Sequence, residues 1–171
     1  MFRAFVAATL LVFVSGCAGM QLVSEADRTL DGVFEASGFS KDQIFTATKI
    51  WIAENFRSAK SVIEYENKEE GTLIGNGIIP YPCSGLEHIT KADWTVSFTM
   101  RVDIKDQKFK LTFSNVRLSW PPSYNSTFGS QSGHDGPVRL QGDMDAIEPK
   151  LLSFGNALLV SMSSNKKAKD W

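Results

Sequence analysis

Residues 94–104 constrain this chain most. Trp94, Val96, Phe98, Met100, Val102 and Ile104 alternate without a break with Thr95, Ser97, Thr99, Arg101 and Asp103. Side chains of a strand point to opposite faces in turn, so this run predicts one strand with one face in a core and the other in water. Such a strand needs partners on both edges and a layer over its apolar face. That excludes an all-helical fold and implies an antiparallel sheet covered on one side.

The flanking sequence supplies both. Lys105-Asp106-Gln107-Lys108 reads as a turn, after which Phe109, Leu111 and Phe113 alternate again. The apolar phase then slips by one residue at Asn115 and resumes at Val116, Leu118 and Trp120. A β-bulge produces such a slip. Upstream, Val62, Ile63 and Tyr65 mark a strand, Asn67 to Gly71 its turn, and Thr72 to Ile79 the next strand. Gly75 and Gly77 within it predict a bulge or a close backbone approach. Pro80-Tyr81-Pro82 ends it, with a loop expected over 81–92, and Val33 to Ala36 are read as a first strand.

Two helices are expected as the covering layer. Ser40 is followed three residues later by Gln43, a capping box, with Phe39 and Ile44 placed as its hydrophobic staple. Ile44, Ala47, Trp51, Ile52 and Phe56 follow helical spacing over about 41–57. Leu151, Leu152, Phe154, Leu158, Leu159 and Met162 line a second helix over about 149–164, with Pro149 in its first turn. Residues 121–137, rich in Pro, Ser and Gly, are expected to form a long mobile loop. The reading is an α+β fold of order β-α-β-β-β-β-α, with about five antiparallel strands and two helices packed on one face.

The N-terminus speaks to location. Arg3 precedes an apolar run from Ala4 to Val14, and Val14-Ser15-Gly16-Cys17 closes it. The run has the length of a signal-peptide core and is short of the ~20 residues a spanning helix needs. The four closing residues read as a lipobox, with Cys17 the acylated first residue of the mature protein. Ala18, rather than Asp, follows it, which points to the outer membrane facing the periplasm. The domain plan is thus a signal peptide at 1–16, a lipidated tether at 17–30, one α+β domain at 31–165 and a frayed tail at 166–171. Removing the leader leaves 155 residues with 17 basic and 19 acidic side chains. That size suits one domain, and that balance argues against a nucleic-acid partner.

The chain has two cysteines and two histidines. Acylation of Cys17 leaves Cys83 without an intrachain partner, with Glu87 and His88 as local bases. Glu87, His88 and Asp93 lack the regular spacing of a zinc site. His134-Asp135 follows Gly129-Ser130-Gln131-Ser132-Gly133, which departs from the G-x-S-x-G nucleophile elbow. Neither a metal nor another cofactor is expected. The candidate ligand or partner face is the polar side of the central hairpin: Thr95, Ser97, Thr99, Arg101, Lys110, Thr112 and Ser114. A candidate partner loop carries Trp120 and Tyr124.

Three stretches carry a family resemblance. They are Phe39-Ser40-Lys41-Asp42-Gln43-Ile44 through Trp51, Gly71-Thr72-Leu73-Ile74-Gly75-Asn76-Gly77, and Val102-Asp103-Ile104-Lys105-Asp106-Gln107-Lys108-Phe109-Lys110. Over about 31–118 the chain resembles an uncharacterised bacterial lipoprotein family with a TATA-binding-protein-like fold. The resemblance implies that fold and an envelope location, and it brings no catalytic residues. The expectation is a membrane-tethered, non-catalytic binding or assembly module with an envelope protein or glycan as partner. The alternative is an envelope hydrolase or metal-dependent enzyme using His88 or His134.

Overall fold

The structure, a computed structural model, describes residues 21–56, 63–125 and 129–168. The two strongest alternating runs form its centre. Strands β4 (Thr95–Lys105) and β5 (Lys108–Trp120) pair antiparallel around the Asp106-Gln107 turn. Every second residue of β4 from Val96 to Ile104 is buried. The phase slip is a bulge: Ser97 pairs with Arg117 but Thr99 pairs with Ser114, and Asn115 takes φ 56°. The extra residue returns Val116 and Leu118 to the buried face.

Strand β3 (Thr72–Pro80) pairs with β4, and β2 (Ile63–Asn67) pairs with β3 at the edge. The second bulge lies on β2, at Glu64, opposite Ile74 and Gly75. Gly77 provides the close approach, since a Cβ there would lie 2.5 Å from the Phe98 ring. Strand β1 (Leu30–Glu35) pairs with residues 108–113 of β5. The main sheet runs β1-β5-β4-β3-β2.

Helix α1 (Lys41–Asn55) starts at the expected capping box, with the Ser40 hydroxyl accepting from the Gln43 amide and the Gln43 side chain accepting from the Ser40 amide. It buries Ile44, Phe45, Thr48, Trp51 and Ile52. Helix α3 (Gln141–Ala168) buries Met144, Ile147, Leu151, Phe154, Leu158 and Met162. Both helices join one core with the inward residues of the sheet. The Phe154 ring is its hub, lying 5.4 to 6.2 Å from the rings of Trp51, Phe56, Phe98 and Phe113. Each such fully buried side chain contributes roughly 1.5–3 kcal/mol.

Four expectations need correction. The segment 81–92 is not all loop: a short helix α2 (Glu87–Lys91) forms there, closed by the Glu87–Lys91 ion pair. The long loop is largely strand. Strands β6 (Ser123–Asn125) and β7 (Gly129–Gln131) pair with each other, and β8 (His134–Pro137) pairs with the end of β5. Helix α3 begins at Gln141 and contains Pro149 in its interior. Burial of Met144 and Ile147, with the Gln141–Asp145 side-chain hydrogen bond, holds the turns before the proline. The helix also reaches Ala168, into the stretch expected to fray.

The fourth correction concerns the tether. From Gln21 onward the chain is part of the fold. Leu22 bridges Leu140, the Val23 amide donates to the Arg139 carbonyl, and Val23 is buried. Cys17 and the rest of the leader lie outside the described residues.

Candidate functional site

Among the described residues, no helix covers one face of the sheet. Helices α1 and α3 occupy the inward side, so the alternate residues of each strand point the other way. The structure places Thr95, Ser97, Thr99 and Arg101 of β4 and Lys110, Thr112 and Ser114 of β5 together on this outward face. The register extends it to Thr72, Ile74, Asn76 and Ile78 of β3 and to Asp31 and Val33 of β1.

Three basic side chains on this face are ion-paired. Arg101 donates from Nε and Nη2 to the Asp103 carboxylate at 2.8 to 3.0 Å. Arg101 hydrogen bonds hold the Asp103 carboxyl below its ordinary range against a smaller opposing effect of burial, and Asp103 in turn raises the Arg101 pKa. Thr72 also donates to Asp103. Lys110 pairs with Asp31, and Arg117 with Asp135 at 2.9 Å. A hydrogen-bonded chain continues at the other edge: Thr99 donates to the Asn76 side-chain oxygen, and the Asn76 side-chain amide donates to the Glu64 carboxylate. The result is a hydrogen-bonding surface with Ile74 and Ile78 half-buried in it. The sequence reading missed Asp31, Asp103, Asn76 and the two isoleucines. The β3 residues were visible as the positions alternating with Leu73, Gly75, Gly77 and Ile79, whereas the ion pairs needed the register.

Trp120 is elsewhere. It ends β5 on the helix side and is not a free docking aromatic. Trp94, just before β4, stacks against it at 4.3 Å, and His134 of β8 at 4.4 Å from the other side. Tyr81 meets Trp94 edge-on, and Lys91 lies over both rings. Tyr81 donates to Asp143 of α3 at 2.8 Å. Burial, reinforced by that hydrogen bond, pushes the Tyr81 phenol up to about 12. Burial opposes the charge on Lys91, but hydrogen bonds to Tyr81 and Glu87 outweigh it and raise its pKa. Tyr124, by contrast, is 77% exposed on β6. The two residues of the expected partner loop thus play different parts.

The histidines are separated. His88 Nδ1 lies 3.3 Å from Cys83 Sγ, while His134 is in the aromatic stack and its neighbour Asp135 is held by Arg117. Among the described residues no three His, Cys, Asp or Glu side chains are grouped to hold a metal. A cleft of about 450 Å³ between α1 and β2 is lined by Ile52, Phe56, Lys49 and Glu66, the last two paired with each other at 2.6 Å.

Residues 31–119 match the family described as a domain of unknown function (DUF4468) with TBP-like fold. The match spans more than half of the chain. The chain belongs to this family. The DUF4468 match covers the sheet from β1 to β5 with α1, the same stretch that carried the resemblance in the sequence. Two solved structures are similar. One is a DUF4468 family protein from Bacteroides ovatus, at 15% identity and a TM-score of 0.49, covering 80% of this chain and 84% of that one. The other is a TBP-like protein from Parabacteroides distasonis, at 17% identity and a TM-score of 0.45, covering 90% of this chain and 94% of that one. No curated protein matches the chain. DUF4468 membership gives the TBP-like fold and assigns no activity.

Proposed function

We propose that this protein is a lipid-anchored component of the cell envelope whose single α+β domain serves as a non-catalytic binding or assembly module. The outward sheet face carries the reading. It is broad, carries no helix among the described residues, is rich in hydroxyls and amides, and pairs Arg101, Lys110 and Arg117 with carboxylates. Such a surface suits a neutral peptide or glycan, or a partner protein, better than a polyanion. The lipobox at Val14 to Cys17 supports the anchor, and among the described residues no helix is long and apolar enough to cross a membrane.

Two experiments test the two halves of the proposal. A Cys17→Ala variant loses palmitate incorporation and accumulates as precursor; normal processing and release of that variant removes the anchor. A photo-crosslinking residue placed at Thr99 or Thr112 captures a defined envelope partner that the same residue at Ser153 or Val160 of α3 does not. Equal capture from both sides removes the sheet face from the proposal. The enzymatic alternative rests on Cys83 and His88, which the fold brings together, or on His134. A His88→Ala/His134→Ala variant that folds and still complements a deletion strain excludes it.

A further inference from the structure

Residues 82–93 leave the body of the fold and return to it. The Tyr81 amide closes the base of this loop by donating to the Trp94 carbonyl at 2.9 Å. Loops of this form, with their ends joined on a scaffold, frequently carry function. Residues 84–90 are all exposed, and α2 within the loop buries no residue. The loop has bonds of its own: Cys83 Sγ meets His88 Nδ1, Thr90 donates to the Glu87 carbonyl, and Glu87 pairs with Lys91. Among the described residues, Lys91 is the one side chain of the loop with a hydrogen bond or ion pair to the rest of the fold.

Lys91 ends on a site that three other segments build. Its Nζ lies 4.6 Å from the Tyr81 ring centre and 5.1 Å from that of Trp94, 3.2 Å from the Tyr81 hydroxyl and 3.3 Å from Asp143 Oδ1. Tyr81 follows β3, Trp94 precedes β4, and Asp143 lies in the first turn of α3. Trp94 is backed by Trp120, and Tyr81 is buried and donates to Asp143. These walls are held by the body of the fold. Two ring faces and a carboxylate are the parts of an ammonium site. The hydroxyl proton of Tyr81 goes to Asp143, so its oxygen accepts from the cation. Both oxygens require N–H donors, which a primary ammonium has and a quaternary one lacks.

We propose that Tyr81, Trp94 and Asp143 form a binding site for a lysine side chain of a partner protein, and that loop 82–93 is a strap whose own Lys91 closes the site until that lysine displaces it. The proposal stands whether or not the outward sheet face binds a partner. A competitor on a short tether acts at an effective concentration on the order of millimolar. Closure therefore rejects small free amines and admits a protein that brings further contacts with its lysine.

The test uses the full chain, isotope-labelled for NMR in non-ionic detergent. The probe is Nα-acetyl-lysine N-methylamide, and the Trp94 indole N–H reports its binding. Lys91→Ala is expected to bind the probe at least about tenfold more tightly than the parent chain, because the tethered competitor is gone. In the parent chain, saturating probe should lower the backbone order parameters of residues 84–91 and leave those of β4 and β5 unchanged. The Nε-acetyl probe, which lacks the charge, should do neither, and the Nε-trimethyl probe, which lacks the donors, should bind more weakly. No Trp94 response in folded Lys91→Ala, or a response to the Nε-acetyl probe of equal size, overturns the site. Trimethyl binding as tight as that of the lysine probe overturns its assignment to a primary ammonium. Equal affinity in Lys91→Ala and the parent chain overturns the strap. The parent-chain measurement decides even where Lys91→Ala does not fold: unchanged order in residues 84–91 at saturating probe, or order lost throughout the sheet, overturns displacement of a strap.

Discussion

Gly155 of α3 is a notch filled by the ring of Phe34 on β1. A Cβ at Gly155 would lie 2.1 Å from Phe34 Cζ and 2.2 Å from Cε1. The ring also stacks on Phe109 at 5.3 Å, so it joins the edge strand, the central hairpin and the long helix. Alanine ordinarily favours a helix over glycine by about 1 kcal/mol. Here the added methyl must expel the ring from its notch and break the stack. Gly155→Ala is therefore expected to lose about 1–3 kcal/mol of stability, the usual cost of overpacking. Urea unfolding measures it, and Phe34→Leu in the same chain should recover part of the loss.

Asn115 tests the bulge. Its φ of 56° lies in the left-handed region, and its position sets the phase of every residue from Val116 to Trp120. That region costs a side chain other than glycine about 1–2 kcal/mol, asparagine less. Asn115→Gly is expected to be neutral or mildly stabilising. Asn115→Val should destabilise by about 1–3 kcal/mol because a β-branched residue resists this backbone. Thermal unfolding of the two variants separates them.

These two sites also show what the sequence discloses. The slip at Asn115 is written in the phase of Phe113 and Val116, and the capping box in Ser40 and Gln43, because both are local rules that burial later enforces. The four corrected segments lack such a rule. His134 to Pro137 has no apolar alternation; its place beside β5 comes from ladder hydrogen bonds and the stack of His134 on Trp120. Gln21 to Val23 dock through backbone groups to residues 139–141, more than a hundred positions away. Pro149 looks like a helix start because its ring disfavours an interior position, yet burial of Ile147 and Met144 overrides that preference. On the outward face, the seven polar positions of β4 and β5 follow from alternation alone. Their ion pairs do not, since the Lys110–Asp31 contact exists only once β1 and β5 are in register.

The Arg101–Asp103 pair predicts an acid-sensitive contribution. The Asp103 carboxyl is held below its ordinary value of 3.8, chiefly by its hydrogen bonds from Arg101. The folded state thus favours the ionised form. The resulting stabilisation is present above that ordinary value and is lost as pH falls through the lowered one. Both side chains are more than a third exposed, so screening limits the pair to about 0.5–1 kcal/mol. Asp103→Asn should lower stability by that amount at neutral pH and by less at a pH below 3.8. Urea unfolding at the two pH values is the measurement.

Tyr81 predicts the opposite limb. Its phenol is raised from 10.0 to about 12, first by burial and then by donating to Asp143. The fold favours the neutral form. That contribution is whole below pH 10.0 and disappears as pH rises through about 12. Phenolate absorbance should show one tyrosine titrating late. Asp143→Asn removes both a charged acceptor and a repelling charge, so the late step should move down towards 10.0. It should also loosen Lys91, which shares the same carboxylate at 3.3 Å.

Cys83 and His88 give the last prediction. The half-buried thiol lies 3.3 Å from His88 Nδ1, just before α2. The imidazole can take the thiol proton as sulfur attacks an electrophile, the arrangement that activates a cysteine. His88→Ala is expected to slow iodoacetamide alkylation of Cys83 at neutral pH. His88→Gln, which keeps a hydrogen-bonding group without a titrating base, should slow it comparably. Quantifying the labelled peptide by mass spectrometry over time measures both rates. If His88→Gln reacts as fast as the parent chain, the imidazole acts only as a hydrogen-bond partner that positions the sulfur. If all three react alike, the contact has no chemical consequence, and the enzymatic alternative loses the one pairing of nucleophile and base that the fold provides for His88.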